Sequence, residues 1–443
     1  MKSLIQIVFL LLILLFSGAS FGQEKTKLSE LKADLAQMKT PTSSTEAQAY
    51  IDLLIKIGLK YRFVDNDSLN HYTEMAQLTL DRQKNKNALS QALIFRNKGY
   101  YYSENGESQK ALEYYNKTLD ISKQQGFTNL KLKSYIWMSD EYYYLDQKGN
   151  ELTSLLKVID EGEKDRANCL LELSIATENI AFLYADQEEF EKALDYFKKV
   201  LSYNKELNKD ESKAQSYTNL ADTLSEMGDF TQAQHYIDLA IAIFEEKGNA
   251  VWLATAYQIK GLIFYESDQF EQSLKYILKA KELLGSIDDE RLRISLLLDH
   301  AYVLYRLGQL EEAQKKVQQA SQSKLTSKDV QLKQECLELL FEINKAKGES
   351  ESALTYLEDY RSLSDSILRV QKANRIDMLF AQLKFEDEKQ AIVQTNREIA
   401  SRQKNQLTLA LAVAAVLLVT LIPLYFKQKR LNVLNSNLQE REK

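Results

Sequence analysis

Proton transfer, metal ligation and nucleophilic attack would fall first to histidine and cysteine. The 443-residue chain has three histidines, His71, His235 and His300, and two cysteines, Cys169 and Cys336. They form no HExxH or CxxC pair and no cluster at ligand spacing, so metal chemistry is not expected. His300 beside Asp299 has the pairing of a phospho-acceptor site, but it falls inside a helical pattern where packing accounts for it. The acidic pairs Glu188/Glu189 and Asp288/Asp289 could in principle serve as acid and base, yet they sit at segment ends, where solvation and helix capping explain them. No GxGxxG or Walker-type glycine loop is present to cradle a phosphate. The reading is therefore not an enzyme, with no metal and no cofactor. A net charge of -6, spread over mixed signs, gives no basic face for nucleic acid. What the composition does supply is recognition chemistry, in 25 tyrosines that combine contact area with a polar tip.

The elements that must position these residues are helical. With 14 Gly and 2 Pro the chain is poor in turn formers, and an all-α fold is expected. Self-similarity gives the register. Anchors at Gly58, Gly99, Asp140, Ala181, Ala221, Gly261, Ala301 and Phe341 recur every 40 to 41 residues. Three positions after an anchor an aromatic or Leu returns (Tyr102, Tyr184, Leu224, Phe264, Leu304). Twelve after it comes a small residue (Ala111, Ala193, Ala233, Ser273, Ala313, Ala353), and sixteen after it a large apolar one (Tyr115, Phe197, Ile237, Ile277, Val317, Leu357). Gly106, Gly228, Gly308 and Gly348 fall between. Two antiparallel helices per unit are implied, close where the small residues lie. Cys169 and Cys336 then sit in separate units, and no disulfide framework is expected.

Outside the repeats lie two apolar runs. Lys2, the uncharged stretch Leu4–Phe16 and the small residues through Gly22 read as a signal peptide over 1–22. The run Leu407–Phe426 has 20 residues without a charge, long enough as a helix to cross a hydrocarbon core of about 30 Å, and the span is assigned to 406–426. Lys427, Lys429 and Arg430 follow it, as the positive-inside rule asks of a cytoplasmic flank. The division is then a leader at 23–44, repeats at 45–362, a helical stalk at 363–405, the span, and a cytoplasmic tail at 427–443. In the tail Leu431, Leu434 and Leu438 carry one coiled-coil-like heptad.

The segments NKGYYYSENGESQKALEYY (97–115), NIAFLYADQEEFEKALDYF (179–197), NLADTLSEMGDFTQAQHYI (219–237) and HAYVLYRLGQLEEAQKKV (300–317) resemble tetratricopeptide repeats. The resemblance implies an α-α superhelical solenoid of about eight units, although the period exceeds the family's usual 34 and the units at Gly58 and Asp140 are degenerate. It also implies a peptide or protein ligand on the concave face formed by the first helices. Mapped residue by residue, that face holds Arg96, Asn97, Tyr100, Trp137, Tyr144, Asn179, Phe182, Asn219, Asp222, Tyr265, Tyr302 and Tyr305. The aromatics would anchor side chains, and the asparagines would hold peptide backbone. The order of signal peptide, repeats, stalk, span and tail further resembles the sensor half of bacterial tetratricopeptide sensor kinases and membrane-bound regulators, without the effector domain. It implies an extracytoplasmic array on the bacterial inner membrane with a sensory role, and the seam of Leu431, Leu434 and Leu438 offers a surface for a homodimer through stalk, span and tail. An envelope scaffold is the alternative.

Overall fold

The computed structural model describes residues 21–38, 41, 43–285 and 289–441. The signal-peptide call lies, but for its last two positions, outside these residues. The chain divides into two compact units, 1–381 and 382–443.

In the first unit α1 (Phe21–Gln37) precedes helix pairs. They are α2 (Ser44–Lys60) with α3 (Asn66–Asp81), α4 (Ala88–Glu104) with α5 (Ser108–Gln125), and α6 (Thr128–Tyr144) with α7 (Lys148–Gly162). Next come α8 (Arg166–Asp186) with α9 (Phe190–Glu206), α10 (Asp210–Glu226) with α11 (Phe230–Lys247), and α12 (Ala250–Glu266) with α13 (Phe270–Leu284). The array ends with α14 (Glu290–Arg306) and α15 (Leu310–Ser321), the short α16 (Lys324–Lys328), α17 (Val330–Lys347), and α18 (Ser350–Arg441), whose first part belongs to this unit.

Starts and stops of these helices follow local chemistry. Ser43 and Glu46 form a reciprocal capping box at α2, and Asp65, Asn87, Asp229, Asn249 and Asp289 cap later helices with their side chains. Seven residues after an anchor the chain turns left-handed, at Gly106, Gly228, Gly308 and Gly348, and also at Glu188 and Asp268 (φ 59° and 58°). These bends let the second helix of a pair return along the first.

The close approaches lie where the spacing places them. Ala111, Ala193, Ala233, Ser273 and Ala313 are fully buried, as are the large partners Tyr115, Phe197, Ile237, Ile277 and Val317. A Cβ added at Gly99 would lie 2.2 Å from Tyr115, and one at Gly261 would lie 2.7 Å from Ile277. The core is a strip renewed at each pair, as expected of an architecture stabilised by neighbour contacts. The described residues are all-helical, and those of the first unit form a solenoid.

α18 runs unbroken through 363, where the stalk was placed, and its first part packs on the array. Met378 is buried in the solenoid core. Around it Asn374 donates to Asp146 Oδ1 (3.2 Å), Arg375 pairs with Glu189 (3.0 Å), and Asp377 Oδ2 accepts from the Gly149 amide (2.6 Å). Asp377 thus places a carboxylate on the N-terminus of α7, where unpaired amides and the helix dipole favour negative charge. In the second unit α18 carries Leu407–Phe426 with its apolar side chains exposed, and it is long and apolar enough to cross a membrane.

Candidate functional site

The first helices of successive pairs lie side by side, and a row of polar contacts joins them. The Asn97 amide donates to the Ile55 carbonyl (3.2 Å), and its oxygen accepts from Arg96 Nη2 (2.8 Å). One hundred and more residues on, Asn219 donates to Glu178 Oε1 (2.9 Å), and Gln258 donates to Ser295 (2.7 Å) and Asp299 (2.5 Å). These contacts are where the structure places the asparagines assigned to the concave face. Asn97, Asn179 and Asn219 are buried, and the amides of Asn97 and Asn219 tie one repeat to the next rather than facing a ligand backbone. The reason is their place two residues before the anchor, on the helix edge that meets the neighbouring unit.

Several of the assigned aromatics also take part in packing. Tyr100 is buried edge-on to Tyr115 and Trp137, at 6.0 and 5.3 Å between centroids, with the Arg62 guanidinium 3.7 Å above its ring. Phe182 packs on Phe197 at 5.2 Å, and buried Tyr302 lies against Tyr265 at 6.3 Å. Tyr305 is half-buried and donates to Glu342 (3.3 Å). Tyr144 is exposed, and Trp137, Arg96 and Tyr265 are half-buried. The twelve residues do not converge. They fall into a group beside Asp140, a group on α8 and α10, and a group near α14.

Of the twelve, Asp222 lines the concavity the structure does form. A cavity of about 410 Å³ lies within the first unit. Its walls are the C-terminal ends of α8, α10 and α12, one face of α17 through Gln334 and Glu338, and the α18 segment from Tyr360 to Gln371. Its lining holds eight carboxylate residues and, among the described residues, no Lys, Arg or His. Burial, with Glu226 and Asp299 adding repulsion, raises the Asp222 carboxyl to about 8. Burial likewise raises Glu178 and Asp299 to about 7, each opposed by the amide bonded to it. Around Asp140, also raised to about 8 by burial, Arg62 is the opposing charge. His300 is pushed down to about 4 by burial and nearby lysines, and Asp299 is turned to Gln258, so the two do not form an acid–base pair.

Sequence reasoning missed the acidic wall, although a signal existed. Five residues after the anchors stand Glu104, Asp186, Glu226 and Glu266, and the last three line the cavity. The α18 wall gave no signal, because its residues carry no repeat.

Models described as tetratricopeptide repeat match residues 97–125 and 172–246. These two stretches are tetratricopeptide repeats. Response regulator aspartate phosphatase I of Bacillus subtilis (strain 168) is 27% identical over 169 residues, 36% of this chain and 40% of that protein, so the match spans less than half of the relative. Among solved structures, the apo form of RapI superposes with TM-score 0.61 at 17% identity, covering 80% of this chain and 96% of that one. The apo quorum sensor NprR from B. thuringiensis gives 0.55 at 14% identity, covering 83% and 98%. A Rap protein complexed with competence and sporulation factor gives 0.51 at 17% identity, covering 79% and 99%. At these identities what is shared is the fold.

Proposed function

We propose that the array is a binding module for a peptide or protein, held outside the cytoplasm by the α18 span and acting as the sensory input of a signalling system. One observation carries the reading: the cavity formed by the first helices is closed by the start of α18, the same helix that holds the apolar run. A ligand there touches the element that leads to the membrane. The Rap structure with competence and sporulation factor supports a peptide-sized ligand for such a fold. The reading is of a binder and not a catalyst. One relative is named a phosphatase, and the cavity here offers carboxylates without a basic partner among its lining. Pairing of two chains through stalk, span and tail belongs to the same reading.

Two experiments test it. Reporter fusions active only outside the cytoplasm should work after Ser350 and fail after Lys443, and the reverse pattern would sink the sidedness and the sensor together. A photo-cross-linking residue at position 334 or 368, on the cavity walls, should capture a partner in cells. The same probe at exposed Glu358 should capture none. Capture dominated by envelope-assembly proteins would favour the scaffold.

A further inference from the structure

The cavity has a composition that selects its occupant. Asp222, Glu266, Glu338 and Asp365 reach it from four different helices, α10, α12, α17 and α18. Carboxylates collected in a low-dielectric concavity repel one another, and field focusing there favours cations over every other ligand class. Two uncharged oxygens add to them. Ser225 is 8% exposed, lines the cavity, and its Oγ has no hydrogen-bond partner; Gln331 Oε1, also on the wall, is buried and equally unpartnered. Buried polar atoms are nearly always satisfied, so orphaned oxygens in a roomy cavity mark acceptor places awaiting N–H donors.

The charge is also spread out. No three carboxylate, histidine or cysteine side chains among the described residues converge closely enough to hold one metal ion. The volume of about 410 Å³ is that of a small organic ligand or a few side chains. We infer that the cavity is a receptor for an extended organic cation bearing more than one ammonium or guanidinium group, which its α18 wall clasps against the array. The inference rests on the binding reading above and narrows it to a ligand chemistry. Two sources share that chemistry, a free linear polyamine and the basic side chains of a peptide.

Titration calorimetry on the full chain in nanodiscs distinguishes them. The probes are spermidine, a pentapeptide with two lysines, and the same peptide with norleucine in their place. Spermidine or the lysine peptide should bind, and the norleucine peptide at least tenfold more weakly. Whichever cation binds names the source. The double variant Asp222→Asn/Glu338→Gln should lose at least tenfold in affinity while melting no lower than the parent, because each change is near-isosteric and removes a carboxyl from a wall crowded with them. Gln371→Lys, which offers a tethered ammonium on the α18 wall, should also weaken binding, and it keeps the test valid if the double variant misfolds. Glu358→Gln, exposed on α18 outside the cavity, should change nothing. Absence of binding by both cations, equal affinity in parent and both cavity variants, or displacement of spermidine by equimolar calcium would each overturn the inference. If it fails while the cross-linker on the cavity walls still captures a partner, the binding-module reading stands without the cation. If spermidine binds and no partner is captured, the converse holds.

Discussion

The contact between α18 and the array can be weighed by a single methyl group. A Cβ at Gly149 would lie 2.6 to 2.8 Å from the Asp377 carboxylate, a separation real Cβ atoms do not show, so Gly149→Ala must turn that carboxylate away. The loss is one charge-assisted bond to a helix N-terminus, worth about 1–2 kcal/mol. Against it, alanine in place of glycine near the start of α7 gains about 0.5–1 kcal/mol of helix stability. In the parent the substitution should therefore destabilise by about 0.5–1 kcal/mol, the difference of these terms. In an Asp377→Ala background only the gain remains, and the same change should stabilise. The sign reverses, with a coupling of about 1–2 kcal/mol in a double-mutant cycle. The cycle is read by denaturant melts, with hydrogen exchange over 370–378 following release of the helix. Additive effects, or unchanged exchange in Gly149→Ala, would refute the docking of α18 on α7.

Three further outcomes follow from the packing and the buried acids. Ala193→Glu or Ala233→Glu would place an unpaired charge where the parent side chain is fully buried, costing about 3–5 kcal/mol, with exchange rising in adjoining repeats only; an unchanged melt would dismiss the register. Gly99→Ala drives a methyl to 2.2 Å from Tyr115, which is itself held against Tyr100 and Trp137, and should cost about 1–3 kcal/mol, recoverable by adding Tyr115→Leu. Asp222, Asp299 and Glu178 bind their protons more tightly folded than unfolded, so the folded state holds more protons between their ordinary values near 4 and their raised values of 7 to 8. Melting temperature should fall as pH rises from 5 to 8. Asp222→Asn should flatten that slope, and a slope identical to the parent's would remove Asp222 from the buried set.

The register was legible because it is local and repeated: a small residue twelve after each anchor and a large one at sixteen report one helix pair, and six copies correct for any degenerate one. Sidedness of the first helices was legible in the same way, which is why Asp222 reached the cavity and the acids five after the anchors could have been added. What the asparagines bond depends on a finer matter of angle. Two residues before the anchor is rotated toward the adjoining unit, so Asn97 and Asn219 bond the neighbouring helix. The α18 contact was illegible in kind, since Asp377 meets Gly149 across 228 positions and neither residue belongs to a repeated pattern. Gly149 is the place where another helix needs the space of a Cβ.

That docking decides which way a ligand can act. A ligand shifts an equilibrium only by its differential affinity for the two states. The cavity exists only while residues 360–371 form its wall, so an occupant that touches both sides must favour docked α18 and slow exchange over 370–378. A longer ligand that takes the place of α18 on the first helices must do the opposite. It gives up the contacts of Asn374, Arg375 and Asp377, and it must replace them. A compact cation and a displacing peptide therefore predict exchange changes of opposite sign at the same nine amides, and Asp377→Ala should weaken the first ligand while strengthening the second.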